Sequence, residues 1–290
     1  ERDCGRIGER TVLRWSPFSP AIMRVHVIQT GTLTANKTLM RGKGWSSLLR
    51  RPVGYEFPAY SFIVEHPEGH IAIDAGLTAA VRIPRPLGRI VPRPSIRPEE
   101  EIGPRMREMG LRVEDVRRVI VTHLDWDHVG GIGHFPNAEV LIHRPEYEFA
   151  STLRGKLRYM PKLWPSRFEP TLYDLDPDPH GPFPVSKTVT ESGDIRLVPI
   201  PGHTIGQIGA ILQTDEVVVF FAADHVLRQD WFLEEYEAGR LVGLGGFFPK
   251  LAVETSRRVH RFLEQVPTVF LPSHDAETPV RLAAMEPLKV

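Results

Sequence analysis

One short stretch of the chain carries four side chains that could bind a metal ion: His123, Asp125, Asp127 and His128. Imidazoles and carboxylates in this mix suit zinc, iron, manganese or cobalt. Residues 116–121 are apolar apart from two arginines, which predicts a strand leading out of a core. Gly130 and Gly131 then allow a tight turn toward a short helix. Taken alone, such a stretch could also be a solvated acidic loop with incidental histidines.

Three further side chains of the same kinds each follow an apolar, strand-like segment and fall in a turn. They are His203 after residues 197–200, Asp224 after residues 217–221, and His274 after residues 269–271. Metal sites are built in this way, with ligands from separate strand ends converging on one rim of a core. The recurrence favours one metal centre over an incidental acidic loop.

The elements that must position these residues are blocks of strands separated by helices. Strands are predicted at residues 24–29, 59–65, 71–73, 116–121, 138–142, 195–199, 207–213, 216–221 and 267–271, and helices at residues 99–110, from Arg144 onward and at residues 252–265. This order favours two sheets sandwiched by helices over a doubly wound parallel sheet. Asp74, at the end of the predicted hairpin, could bind metal, cap the turn or orient a metal ligand from behind.

The chain predicts one large domain preceded by an arm. Residues 1–22 are rich in arginine and show no period, which predicts an irregular N-terminal arm, and Met23 could be the natural start. Residues 23–290 then form a single domain. Within it, residues 151–190 have weak periodicity and many prolines, which predicts an insertion lying over the metal centre as a lid. Residues 80–98 alternate arginine and proline, which favours a solvated, extended loop over an anion-binding lid.

Composition narrows the classes of protein and partner. The 290 residues include 36 Lys and Arg against 36 Asp and Glu, so no net field attracts nucleic acid or an anionic membrane. No apolar run approaches the roughly 20 residues that span a bilayer. Cys4 is the single cysteine, which rules out an internal disulfide and favours a cytoplasmic location.

With these residues in place, the sequence resembles the metallo-β-lactamase superfamily over roughly residues 24–275. The signature of that family is His-x-His-x-Asp-His followed by distal His, Asp and His, and this chain has His-x-Asp-x-Asp-His. Residues 65–76, 144–149 and 201–203 resemble the lactonase branch, which includes N-acyl-homoserine lactonases and pyridoxolactonase. The resemblance implies an α+β fold, an αββα sandwich of two mixed β-sheets flanked by helices, for a hydrolase domain over residues 23–290.

The resemblance also implies a role for each matching position and a cofactor of two divalent metal ions. His123, Asp125 and His203 would hold one ion, Asp127, His128 and His274 the other, and Asp224 would bridge them. Zinc is expected first, with iron, manganese or cobalt as alternatives. A water activated by the metal pair would open a small-molecule lactone or ester, and Asp127 would receive and return the proton. Asp74 would act from behind the ligands.

Two positions depart from the pattern of the family. Asp125 replaces a histidine, which adds negative charge to the first metal position and moves the preference from zinc toward harder ions. Leu227 stands where homoserine lactonases often have a tyrosine, and the neighbouring His225 is one replacement to consider. Other hydrolases on this scaffold stay open as alternatives: β-lactamase, phosphotriesterase, aryl esterase or thioesterase. A flavodiiron-like redox protein is a weaker alternative because that group uses glutamate at the second motif position. A homodimer is the expected assembly.

Overall fold

The computed structural model describes residues 10–14, 22–36, 54–83, 91–159, 161–164, 169–215, 217–237 and 248–290. Within these ranges the strands divide between two sheets. The helices are α1 (Ile102–Glu108), α2 (Trp126–Val129), α3 (Arg144–Ser151), α4 (Leu153–Tyr159), α5 (Gln229–Glu237), α6 (Pro249–Gln265) and α7 (Thr278–Ala284). None of them is long and apolar enough to cross a bilayer.

The first sheet has eight strands and mixes both directions of pairing. They are β1 (Arg10–Arg14), β2 (Ile22–Asn36), β3 (Gly54–Glu65), β4 (His70–Ile73), β5 (Arg93–Ser95), β6 (Val116–Val121), β7 (Glu139–His143) and β8 (Thr171–Tyr173). Their order is β1-β2-β3-β4-β6-β7-β8, and β5 pairs with β2. Strands β1 to β4 pair antiparallel, whereas β4, β6, β7 and β8 run parallel. The parallel half therefore ends at one edge, which carries the loop after β6.

The second sheet has five strands: β9 (Lys187–Thr188), β10 (Ile195–Pro199), β11 (Ile208–Gln213), β12 (Val218–Ala223) and β13 (Thr268–Pro272). Their order is β13-β12-β11-β10-β9, and only β12 and β13 are parallel. The carboxyl ends of β12 and β13 consequently lie side by side. The residues after these two strands are brought together by that pairing.

The side chains of β12 alternate between two core clusters, one between the sheets and one under the helix α6. In β12, Val219 and Phe221 pack between the sheets, whereas Val218 and Phe220 pack toward α6. The rings of Phe62 and Phe221 meet across the sandwich with centroids 4.8 Å apart. A strand buried on both faces gives a continuous apolar run rather than an alternating one. The predicted αββα sandwich of two mixed sheets is confirmed.

The prediction of an irregular arm over residues 1–22 needs one correction. Residues 10–14 form β1, which pairs antiparallel with β2, and β2 itself begins at Ile22. The rest of the arm lies outside the described residues. A short edge strand needs only main-chain hydrogen bonds to its neighbour, and such a long-range contact leaves no periodic signal in the sequence.

The predicted insertion over residues 151–190 contributes a strand to each of the two sheets, which the sequence did not predict. Residues 171–173 form β8 at the outer side of the first sheet, and residues 187–188 form β9 at the outer side of the second. Helix α4 occupies the start of the segment. The prolines between these short elements hide them from a search for periodicity.

Candidate metal centre

All seven side chains that the sequence singled out lie together where strands of the two sheets end. They come from the loop after β6 and helix α2, from the turn after β10, and from the residues after β12 and β13. The rings of His123 and His128 have centroids 4.0 Å apart, and those of His128 and His274 are 5.6 Å apart. The arrangement therefore concentrates four imidazoles and three carboxylates at one point.

Asp224 lies between two pairs of imidazoles. Its Oδ1 is 3.2 Å from Nε2 of His128 and 3.2 Å from Nε2 of His274. Its Oδ2 is 3.9 Å from Nε2 of His123 and 3.6 Å from Nε2 of His203. Each oxygen of one carboxylate thus faces a different pair of nitrogen donors, which is the placement that a ligand shared by two cations requires.

Two sets of donors flank this shared carboxylate, and in each set the donor atoms lie within 4.8 Å of one another. The first set is His123, Asp125 and His203, and the second set is Asp127, His128 and His274. A third such grouping joins His123 and His128 to Asp224. These distances are short enough for one cation to lie between the donors of a set and bind all of them.

Asp74 and Thr122 fix the orientation of two of the imidazoles from behind. Asp74 Oδ2 lies 2.7 Å from Nδ1 of His128, and both Asp74 oxygens accept hydrogen bonds from Thr122, one from its backbone N–H and one from its hydroxyl. The Thr122 oxygen is 3.0 Å from Nδ1 of His123. With the proton on Nδ1 in both rings, Nε2 presents a lone pair to the centre. Asp74 thus contacts the His128 ring directly and the His123 ring through Thr122, which of the three roles open from the sequence favours orientation from behind.

His274 is oriented in the same way, because its Nδ1 lies 2.8 Å from the carbonyl oxygen of Pro58, which can only accept. Three buried polar atoms at the centre lack a hydrogen-bond partner among the described residues: His123 Nε2, His128 Nε2 and Asp224 Oδ1. Buried polar atoms are normally paired, so this group needs another occupant. Nitrogen and oxygen donors aimed at a common space fit divalent metal ions.

The backbone is strained at the two strand ends that carry acidic residues of the site. Asp74 has φ 60° and Ala223, directly before Asp224, has φ 47°, a region that non-glycine residues rarely adopt. Such strain persists only where surrounding contacts enforce it, and it concentrates at functional sites. It turns the chain sharply at the end of β4 and of β12.

Gly130 and Gly131 lead into a short 3-10 helix, Ile132–His134, as the sequence predicted. They also follow the helix α2, and both have ordinary negative φ values, so the turn itself does not require glycine. A Cβ on Gly131 would lie 2.3 Å from the carbonyl oxygen of Ala75, and one on Gly130 would lie 2.8 Å from the backbone nitrogen of Thr78. The glycines therefore allow the segment after the ligand loop to approach the chain that follows Asp74.

The charges of the site reinforce one another. Burial would raise the pKa of Asp224, but His274 and His128 outweigh it and hold that pKa well below its ordinary value. Burial would lower the pKa of His128, but Asp224, Asp74 and Asp127 raise it well above its ordinary value. Asp224 is thus ionised and, in the absence of metal, attracts protons onto His128 and His274, whose pKa values it raises. A bound cation would take the place of those protons.

Glu146 was not identified from the sequence, although it joins three parts of the site. One of its oxygens accepts hydrogen bonds from the backbone N–H of Leu124 at 3.0 Å and the hydroxyl of Tyr159 at 2.6 Å, and the other accepts from the backbone N–H of Gly206 at 2.9 Å. Its side chain is buried. In the sequence, an acidic residue in the first turn of a helix indicates only a favourable helix charge.

We expect Glu146→Gln to weaken metal binding about tenfold, within the range for loss of a partner behind the ligands. The carboxylate of Glu146 accepts three hydrogen bonds. In the glutamine variant an amide N–H would face at least one of the three donor groups, and that hydrogen bond would be lost. Chelator competition would measure the metal affinity, with circular dichroism to verify folding. Glu148→Gln, at an exposed position of the same helix, is the control. Equal metal affinity in both variants would contradict the role given to Glu146.

Arg158 of α4 is the second functional residue that the sequence did not reveal. Its guanidinium forms a two-pronged ion pair with Asp125, in which Nη1 donates to Oδ1 and Nη2 donates to Oδ2 at 2.6 Å. Nη2 also lies 3.2 Å from Nε2 of His203. Burial would raise the pKa of Asp125, but Arg158 and the nearby histidines hold it well below its ordinary value. The replacement of histidine by Asp125 is therefore accompanied by a half-buried positive charge.

Neither Leu227 nor His225 supplies a polar group in place of the missing tyrosine. Leu227 is buried in the apolar cluster under α6. His225 Nε2 lies 3.3 Å from the hydroxyl of Ser256 on α6, and the ring packs on Phe232. Burial lowers the pKa of His225 to about 4. The imidazole is thus held neutral on the α6 side.

Comparison with known proteins agrees with this geometry. A family model described as the metallo-beta-lactamase superfamily matches residues 54–274. A probable metallo-hydrolase of Mycobacterium bovis is 28% identical over 211 residues, which cover 70% of this chain and 62% of that protein. An N-acyl homoserine lactonase of Bacillus cereus is 26% identical over 231 residues, which cover 76% of this chain and 82% of that protein. The chain thus spans somewhat less than two thirds of the first relative and most of the second.

Among solved structures, one similar fold is that of an N-acyl homoserine lactone hydrolase with the product N-hexanoyl-L-homoserine bound at its catalytic metal center. The two chains superpose with a TM-score of 0.68 at 20% sequence identity, covering 87% of this chain and 93% of the other. At this identity the likeness shows a shared fold.

Proposed function

Because the chain belongs to the metallo-β-lactamase superfamily of hydrolases, we propose that it opens lactone rings by metal-dependent hydrolysis, with N-acyl-homoserine lactones as the substrate class. The observation that carries the proposal is the position of Asp224, with one oxygen facing His128 and His274 and the other facing His123 and His203. A carboxylate shared by two donor sets suits a pair of metal ions.

The proposal assigns the two sets of donors to two divalent ions. His123, Asp125 and His203 form the first position, Asp127, His128 and His274 form the second position, and Asp224 belongs to both. Zinc is the first choice, with iron, manganese or cobalt as alternatives because Asp125 adds an oxygen donor. When bound, the metal pair supplies a polarised lactone carbonyl and a water whose pKa is lowered toward about 7.

The residues of the chain then handle orientation and the proton. Asp127 Oδ2 lies 3.6 Å from His274 Nε2 and 3.9 Å from His128 Nε2. The carboxylate is therefore at the centre, but it is too far from either imidazole for a hydrogen bond. We assign to Asp127 the transfer of the proton from the attacking water to the leaving oxygen of the ring. Asp74 and Thr122 hold the imidazoles with Nε2 inward throughout.

Two features support a lactone over other ester-like substrates. The N-acyl homoserine lactonase of Bacillus cereus aligns with 76% of the chain. Cys4 is the single cysteine of the sequence, which disfavours β-lactamases that use a cysteine ligand. The absence of a tyrosine at Leu227 sets this chain apart from many homoserine lactonases, so its carbonyl-binding contacts differ. Another hydrolase of this scaffold, such as an aryl esterase or phosphotriesterase, is the alternative.

A substrate panel on protein of measured metal content tests the proposal. The panel contains homoserine lactones of several acyl lengths, other lactones, an aryl ester, a phosphotriester and a cephalosporin. The highest kcat/KM is expected for a homoserine lactone. Hydrolysis confined to the phosphotriester or the cephalosporin would reject the lactonase assignment and leave the metallo-hydrolase class intact.

We also propose that the protein acts in the cytoplasm as a homodimer on a small-molecule substrate, with no nucleic-acid or membrane partner. The equal numbers of acidic and basic residues and the single cysteine support this setting. Light scattering measures the assembly, and a monomeric mass at micromolar concentration would reject the dimer.

A further inference from the structure

We propose that Arg158 makes the two metal positions unequal, so that the second position fills first and the first position binds its ion more weakly. Arg158 acts as a positioning residue that balances the charge of Asp125 and competes for its donor atoms. The inference rests on the proposed function only in requiring metal at this centre. It concerns binding of the ions, whatever the substrate.

The contacts of Arg158 show that the first position already holds a positive group. The guanidinium pairs with both oxygens of Asp125, and its Nη2 lies 2.6 Å from Oδ2 and 3.2 Å from His203 Nε2. Two of the three donor side chains of the first position are thus in contact with one cation. His203 Nε2 also lies 2.8 Å from Asp125 Oδ2. The guanidinium, this nitrogen and this carboxylate oxygen therefore contact one another, and an ion at the first position must displace those contacts before both donors can bind it.

The net charge of the two positions also favours metal binding at the second position over the first. Asp125 and Arg158 together are neutral, so with two neutral imidazoles the first position has no net charge of its own. In the second position, the ion pairs of Asp127 within the described residues are those with His128 and His274, and its side chain is 11% exposed. It keeps the attraction of a carboxylate for a divalent ion. The shared Asp224 offers one oxygen to each position.

In the described part of the chain, hydrogen bonds at Nδ1 orient both imidazoles of the second position, but only one of the two imidazoles of the first. His128 is held at Nδ1 by Asp74 and His274 by the carbonyl of Pro58. In the first position His123 is held by Thr122, whereas Nδ1 of His203 is buried and has no partner among the described residues. A ligand without a partner at its other nitrogen is less preorganised for metal.

The structure keeps Arg158 at the site rather than letting it swing away. The next residue, Tyr159, is buried and donates its hydroxyl to Glu146 at 2.6 Å, and the guanidinium carbon of Arg158 lies 5.3 Å from the centroid of the Tyr159 ring. Helix α4 packs closely on the helix before it, since a Cβ on Gly155 would collide with the carbonyl oxygen of Phe149. The positive charge is therefore a fixed part of the first position.

Zinc titration of the metal-stripped full-length protein, in competition with a chromophoric chelator, tests the inference. The wild type is expected to bind two equivalents in two steps that differ in affinity about tenfold or more. Arg158→Gln is expected to tighten the weaker step by about tenfold or more, since a unit charge this close acts strongly on a divalent ion even at high dielectric constant. Arg158→Lys keeps the positive charge but cannot make both hydrogen bonds to Asp125. The zinc affinity of its weaker step should lie between those of the wild type and Arg158→Gln.

Arg154→Gln, at an exposed position of the same helix, is the matched control and should titrate like the wild type. The double variant Asp125→His with Arg158→Gln restores the usual histidine and should bring the two steps together. Anomalous scattering from crystals with one equivalent of zinc should place the ion among Asp127, His128, His274 and Asp224.

Three results would overturn the inference: two equal steps in the wild type, a single equivalent located among His123, Asp125 and His203, or a weaker step that does not tighten in Arg158→Gln. Circular dichroism verifies folding of each variant, and Arg158→Lys supplies the comparison if the glutamine variant fails to fold. Absence of lactone hydrolysis leaves this inference standing, whereas absence of any bound metal removes both this inference and the proposed function.

Discussion

Asp224→Ala is expected to lose nearly all turnover together with most of its bound metal. The carboxylate faces all four imidazoles of the centre, with its oxygens between 3.2 and 3.9 Å from their Nε2 atoms. Alanine removes a donor from both metal positions at once and takes away the negative charge that the four imidazoles face. The loss of kcat/KM should exceed about 100-fold, the upper range for removal of a mere outer partner.

Elemental analysis and turnover, measured on the same preparation, check this prediction. Asp215→Ala serves as the control because Asp215 is exposed and lies in the turn between β11 and β12. Wild-type metal content and turnover in Asp224→Ala would overturn the assignment of Asp224 to both ions.

Asp127→Asn is the substitution with the second-largest expected effect. Asparagine keeps the shape of aspartate and one oxygen donor, but its amide cannot accept the proton of the attacking water and pass it to the leaving oxygen. The expected loss is about 100- to 10,000-fold in kcat, the usual contribution of a general acid or base. Metal content should fall far less than in the Asp224 variant, because His128, His274 and Asp224 remain.

The comparison of kcat with metal content separates the two roles of Asp127. A variant that retains metal and loses turnover supports proton transfer by this carboxylate. Full turnover with retained metal would contradict that role. Asp215→Asn is the matched control, since it makes the same chemical change at an exposed carboxylate.

Much of the architecture could be read from local pattern. Strands β6 and β10 have the predicted bounds, because each is an apolar run of strand length that ends at turn residues. The seven side chains of the candidate metal centre could be singled out for the same reason: each follows a strand, and its residue type is one that can bind a metal. Convergence of those strand ends follows from the sandwich, which buries both sheets against each other.

Glu146 and Arg158 could not be found in this way, because their partners are remote in sequence. Glu146 joins loops that contain Leu124 and Gly206, and Arg158 reaches Asp125 from a helix that begins 28 positions later at Leu153. A charged residue on a short helix has the same local signature whether it faces water or a buried carboxylate. Strand β1 was missed for the same physical reason, since it depends on the open edge of β2.

The most direct measurement is hydrolysis of an N-acyl-homoserine lactone before and after metal removal, with metal content determined at each stage. The stripped protein should lose its activity while keeping its fold, and added divalent metal should restore the rate as both positions fill. Undiminished lactone hydrolysis by metal-free protein, or none by fully loaded protein, would contradict the account.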